Sequence, residues 1–261
     1  MSNKSKAQEA HKKVKYKDKL AINIIDEANS PKQLTHAILI HNQAMAAISN
    51  FHGLYIESQR ATTESATHEE QDLLRAMLLF ACSGLDAVVK QLVQDALETV
   101  LRHDEGSQRE FKKFAERRLK KVTSGDDRDR ASQGQNSPDV GFLAELLVSF
   151  DPRATLITAL TSSLVSDSLQ SRDQLLKVAA HFALTRDEVM ANDKMTKEGF
   201  DARNQIAHEM DIDLLSGKGR RERDYETMVH WCENIAEVSR CFIEKTALKM
   251  EVDQVHAKEE S

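Results

Sequence analysis

Three prolines and nine glycines are all that punctuate 261 residues. Reversals between short strands consume these two residue types, so a chain this poor in them cannot supply the turns of a sandwich, a barrel or a βα array. Aromatic residues, at 5%, are also too few for a sheet-rich fold, while 40% hydrophobic residues suffice for a core. The expectation is an all-α fold: a helical bundle with additional helices and a polar loop insertion.

Apolar residues recur at spacings of three and four along most of the chain. They predict helices over 34–60, where Ile38, Ile40, Ala44, Met45, Ile48 and Leu54 recur at that spacing, and over 69–101, with Leu74, Leu78, Ala81, Leu85, Val88, Val89 and Leu92 as the stripe. Further helices are expected over 107–122, 142–150, 153–169, 172–184, 195–215 and 225–252. Pro31 suits a start just ahead of the first helix. Thr185 with Glu188 three residues later forms a capping-box pattern, and Asn192 with Asp193 is the cap region before the 195–215 helix. Residues 1–30, polar and basic apart from an apolar island at 20–25, read as a flexible or loosely docked leader, and 31–252 as a single domain. Residues 123–141, almost without apolar side chains, read as an exposed loop, and 253–261 as a polar tail.

The longest uninterrupted apolar run, 76–82, is far short of the ~18 residues that span a bilayer, so no membrane association is expected. Cys82, Cys232 and Cys241 are odd in number and lie in apolar helical runs, which fits free thiols in a reducing, cytoplasmic setting. The net charge of −6 conceals strong segregation. Residues 1–19 hold seven lysines against Glu9 and Asp18, and residues 109–121 hold seven basic residues against Glu110 and Glu116. Local basic patches of this kind can meet a polyanion despite an acidic whole, and solvated helix faces produce them as well.

No phosphate-cradling Gly-Lys loop, dinucleotide fingerprint, Gly-x-Ser-x-Gly elbow or His-Glu-x-x-His helix is present. His208 is followed by Glu209 but position 212 is Ile, and no histidines or cysteines stand at zinc-ligand spacing, so neither a metal nor a cofactor is expected.

One constellation stands out, in Phe200-Asp201-Ala202-Arg203-Asn204-Gln205-Ile206-Ala207-His208. At about 100° per residue, Arg203 falls in the middle of the arc holding Phe200, Ile206, Met210 and Leu214, with Asn204 and His208 on the adjoining edge. A guanidinium aimed at a helix interface needs an anion, either a carboxylate from another helix or a ligand phosphate. Asp86, on the flank of its own apolar stripe, is the candidate carboxylate, with an i to i+4 pair to Lys90 as the competing reading. A basic Gly-rich turn follows the motif, and its Lys218, Arg220, Arg221 and Arg223 are candidate phosphate contacts.

Arg203-Asn204-Gln205-Ile206-Ala207-His208 resembles the R-x4-6-H signature of the HEPN superfamily, in the form Arg-Asn-x-x-x-His. The stretch LLFACSGLDAVVKQLVQDAL, 78–97, is similar to the long first helices of that superfamily. The resemblance covers roughly 34–250. It implies an all-α, usually dimeric bundle and, in many members, a metal-independent endoribonuclease of toxin–antitoxin, phage-defence or RNA-processing systems. RNA would then be the substrate, cleaved by its own 2′-hydroxyl to 2′,3′-cyclic phosphate and 5′-hydroxyl ends, with an antitoxin or defence-system protein as a further partner. In that role His208 would move a proton, Arg203 would clamp phosphate oxygens and Asn204 would orient them. The alternative is a non-catalytic dimerisation or interaction module that binds a partner protein or nucleotide.

Overall fold

The computed structural model describes residues 16–61, 67–123, 140–213, 217 and 219–259. Helix accounts for 79% of it, which makes the fold all-α. The order is α1 (Thr35–Ala61), α2 (His68–Asp95), α3 (Leu97–His103), α4 (Glu105–Thr123), α5 (Val140–Val148), α6 (Pro152–Val165), α7 (Arg172–His181), α8 (Arg186–Val189), α9 (Asp193–Glu209) and α10 (Tyr225–Glu259). A two-residue antiparallel ribbon, β1 (Ile212–Asp213) with β2 (Gly219–Arg220), lies between α9 and α10.

α2 is the hub. It packs on α1, α10, α9 and α6, and its apolar residues from Leu74 to Val93 are buried at spacings of three and four. α1 runs antiparallel to it, with Phe51 beside Phe80 and Ala44 opposite Gly84. A Cβ on Gly84 would stand 2.5 Å from that of Ala44, so the two backbones approach more closely than any larger residue permits. By length and composition α2 is apolar enough to cross a bilayer, with a mean hydropathy of 1.6 over 18 residues, a property that the short uninterrupted run at 76–82 hides; half of that window is buried inside the bundle.

Local chemistry sets the helix starts. Thr67 and Glu70 exchange capping-box hydrogen bonds at α2, Asp151 caps α6 ahead of Pro152, and Ser171 and Asn192 cap α7 and α9. Glu188 accepts from the Thr185 amide at α8. The expected 69–101 helix is broken at Ala96, whose φ of −118° separates α2 from α3. The expected 253–261 tail is also revised, because α10 continues through Glu259.

Of the two readings of the leader, the flexible one is corrected for its second half, which is docked by specific contacts. Residues 16–30 lie across α1 and α10: Tyr16 packs edge-on against Tyr225 and Tyr55, and Lys17 pairs with Glu233 at 2.8 Å. Asn42 exchanges two hydrogen bonds with the Ile25 backbone, and the Asn23 carbonyl meets the buried His41 ring. Each of these contacts is distant in sequence, so the basic composition of the segment masks its docking. Residues 1–15 and most of the expected 123–141 loop, 124–139, fall outside the described residues.

Candidate functional site on α9

α9 buries Thr196, Gly199, Phe200, Ala202 and Ile206 against α2 and α10. The buried Asn234 amide donates to Thr196 Oγ1 at 2.8 Å, which fixes the helix rotation over α10. That rotation places Arg203 on the inward arc, half-buried, as its angle predicts. Its Nη1 donates to Asn204 Oδ1 at 3.0 Å, and Asn204 Nδ2 in turn donates to the Gln170 carbonyl at 3.0 Å. Among the described residues no carboxylate pairs with Arg203. Its charge reaches the Cys82 thiol, which burial nonetheless pushes up to about 12, so that thiol is a packed hydrophobe rather than a nucleophile.

His208 lies on the last turn of α9, exposed and without a side-chain partner among the described residues. The three motif residues therefore share one helix, but only Arg203 and Asn204 touch.

Asp86 does not pair with Arg203. Its carboxylate accepts from Lys90 Nζ at 3.0 Å and from the Leu169 amide at 2.8 Å. The reason is reach: Lys90 lies one turn along the same helix, and the chain between α6 and α7 brings its amide to the other oxygen. Asp86 nonetheless bears on the motif indirectly, because Leu169 adjoins Gln170, whose carbonyl holds Asn204.

The basic turn is built inward. α9 stops at Glu209 rather than at 215 because Met210 and Asp211 take φ of 51° and 59°, the left-handed region, which also leaves Met210 67% exposed instead of on the apolar arc. The reversal drives Asp211 into the bundle, where it is fully buried between Arg75 Nε, at 2.7 Å, and the Arg223 guanidinium. Burial alone would raise the Asp211 carboxyl, but the hydrogen bonds from Arg223 and Arg75 outweigh it and hold the group below the usual carboxylate range. Arg75 also donates to the Arg221 carbonyl at 2.7 Å and to Asp72 at 3.0 Å. Arg220 pairs with Asp72, and Arg221 with Glu209 at 3.2 Å. Three of the four candidate phosphate contacts are thus committed to carboxylates of the same chain, Arg223 being only 10% exposed. Lys218 lies outside the described residues.

Sequence reasoning missed Arg75 and the Gln170 carbonyl. Arg75 carries the same signal as Arg203, a guanidinium on an apolar stripe, since it sits among Leu74, Leu78 and Cys82. The Gln170 carbonyl had no signal, because backbone groups are common to all residues. Among the described residues, no three His, Cys, Asp or Glu side chains converge as metal ligands. The chain matches no family model, no curated protein and no solved structure.

Proposed function

We propose that Arg203, Asn204 and His208 are the reacting groups of a metal-independent endoribonuclease of the kind implied by the HEPN resemblance of this helix. One contrast carries this reading: Arg203 is half-buried and oriented by Asn204 without a carboxylate, while Arg75, Arg220, Arg221 and Arg223 are each ion-paired within the chain. A guanidinium left open to an outside anion is suited to a phosphate.

The 2′-oxygen attacks phosphorus, the bond to the 5′-oxygen breaks, and a cyclic phosphate and a 5′-hydroxyl result. His208 takes the proton from the 2′-hydroxyl, and an imidazolium protonates the leaving oxygen. Arg203 neutralises the non-bridging oxygens, where charge builds in the transition state. Five helical residues set Arg203 and His208 about 140° apart and about 7.5 Å along the axis, so one chain cannot easily direct both at one phosphate. A homodimer with its two-fold axis near α9 solves this by facing His208 of one copy with Arg203 of the other.

The test is incubation of single-stranded RNA in EDTA. Cleavage to cyclic phosphate ends is expected, lost in both Arg203→Ala and His208→Ala with helicity unchanged. Mixing those two inactive chains should restore part of the activity through heterodimers. RNA left intact at stoichiometric protein overturns the reading.

A second reading, a non-catalytic module that binds a partner protein, is favoured by the apolar corner between α5 and α6. Leu147 and Val148 are 77% and 80% exposed there, and Phe150 is fully so. RNA left intact together with a stable protein complex lost on Phe150→Ser would support it.

A further inference from the structure

Side chains alone tie the main chain of the docked N-terminal segment to the bundle. Among the described residues, no backbone–backbone hydrogen bond joins 16–26 to a helix. Tyr225 accepts from the Lys17 amide at 3.1 Å, Glu233 from the Ala21 amide at 2.8 Å and Asn42 from the Ile25 amide at 2.9 Å, while the His41 ring meets the Asn23 carbonyl at 3.0 Å. Such a segment is only as firm as the side chains that read it. Two histidines are among them or directly behind them: His41, fully buried, and His52, 3% exposed.

The Tyr225 hydroxyl has one proton to give. It accepts from Lys17, and among the described residues its proton has one acceptor, His52 Nε2 at 2.8 Å. That bond needs a neutral imidazole with its own proton on Nδ1. An imidazolium donates from both nitrogens, which leaves the buried hydroxyl proton with no acceptor. His41 has the other tautomer, because a carbonyl only accepts: Nε2 donates to Asn23, and Nδ1 accepts from Ser239 Oγ at 3.0 Å. A charged His41 keeps both partners if the hydroxyl turns, and its cost is a cation buried beneath the Asn23 backbone.

Burial pushes both imidazoles below the usual histidine range, against the Asn23 hydrogen bond at His41. The charges acting on His52 are Glu233, which favours the cation, and Lys17, which opposes it; on His41 they are Glu237 and Glu244, which favour it, and Arg240, which opposes it. All of these lie on α10 or in the docked segment. Glu233 is paired with Lys17, and Glu237 and Glu244 with Arg240, so each acid is already matched by a base. A histidine held low while covered, and restored to about 6.5 when bared, supports docking fully above that value and ceases to as the pH falls through its lowered value.

We propose that residues 16–30 are an acid-released strap, in which protonation of His52 and His41 frees the segment from α1 and α10 while the bundle beneath stays folded. Most of the core lies between the helices, and the strap adds only Tyr16, Leu20, Ile22 and Ile25 at its edge. Release bares the Tyr55 and Tyr225 rings, against which Tyr16 packs, together with the polar ends of Asn42 and Glu233. The strap lies away from the Arg203 turn and does not depend on the ribonuclease reading.

Hydrogen exchange on the full chain, corrected for the intrinsic effect of pH on amide exchange, is the test. Protection of the Lys17, Ala21 and Ile25 amides should fall about tenfold or more between about pH 7 and about pH 5, with α2 and α10 as protected as before. His41→Gln with His52→Gln, whose amides can meet the same partners and do not titrate, should leave strap protection level over that range. In the parent protein both histidine rings should titrate well below about 6.5 by NMR, a readout that decides alone if the double variant fails to fold. Strap protection that is level with pH in the parent overturns the proposal. So does a fall shared by α2 and α10, a fall that persists in the double variant, or histidine rings that titrate near their ordinary value.

Discussion

Arg75 and Arg203 both lie on the apolar arcs of helices packed against each other, yet their surroundings differ in kind. Arg75 is closed off by Asp211, Asp72, Gln71 and the Arg221 carbonyl, whereas among the described residues Arg203 donates only to the amide oxygen of Asn204. The first arrangement surrounds a buried guanidinium with carboxylates and other acceptors of the chain itself and joins α2 to the segment between α9 and α10. The second holds a charge in position and leaves it unspent. The lesson is that a guanidinium on an apolar stripe is no sign of function by itself; what matters is whether the chain supplies its anion.

The sharpest way to break the comparison is Asp211→Ala, which strands the buried guanidiniums of Arg75 and Arg223. A loss of about 3–5 kcal/mol is expected, read as a drop in the urea midpoint. Arg203→Ala should do the opposite: RNA cleavage should fall by about a hundredfold or more, with stability changed by no more than about 1 kcal/mol. If both substitutions cost equal stability, the two regions do not differ as described.

Acid should separate them next. Asp211 and Asp72 both titrate below the ordinary carboxylate range, Asp72 chiefly through the Arg220 hydrogen bond. Their stabilisation is therefore complete above about pH 4 and is lost as the pH falls through their lowered values, most of it from the fully buried Asp211, because solvent screens the half-exposed Asp72. Hydrogen exchange should show the β1–β2 ribbon opening in acid before the Arg203 turn of α9.

The smallest effect is expected from Asp86→Asn, which weakens the grip on Leu169 and hence on the Gln170 carbonyl that orients Asn204. A stability loss of about 1 kcal/mol is expected, with RNA cleavage reduced several-fold and the pH profile unchanged. An Asp86→Asn protein as inactive as Arg203→Ala would point to a direct role for the acid instead.

Most helix starts were legible because a cap is local: Thr185 with Glu188 and Asn192 at α9 announce themselves within four residues. The inward angle of Arg203 was legible for the same reason, since periodicity fixes angle. The end of α9 was not, because Met210 and Leu214 continue the helical spacing while the structure turns at Met210 to bury Asp211 against an arginine 136 residues away. Asp86 illustrates a choice that sequence could pose and not decide. Both of its readings used the same carboxylate, and the chain beyond α6 settled the second oxygen.

The hub position of α2 has a consequence for the order in which the chain is made. Its apolar face is covered by α1, which is synthesised just before it, and by α10, which leaves the ribosome more than 120 residues later. Until then the face of α2 around Cys82, which meets Cys232 of α10, lacks one side of its burial, and the docked Tyr16 segment lacks the Tyr225 and Glu233 that hold it. The nascent chain thus passes a long interval with its greasiest helix half-covered, an interval in which chaperones that shield apolar surface would decide the yield of folded protein.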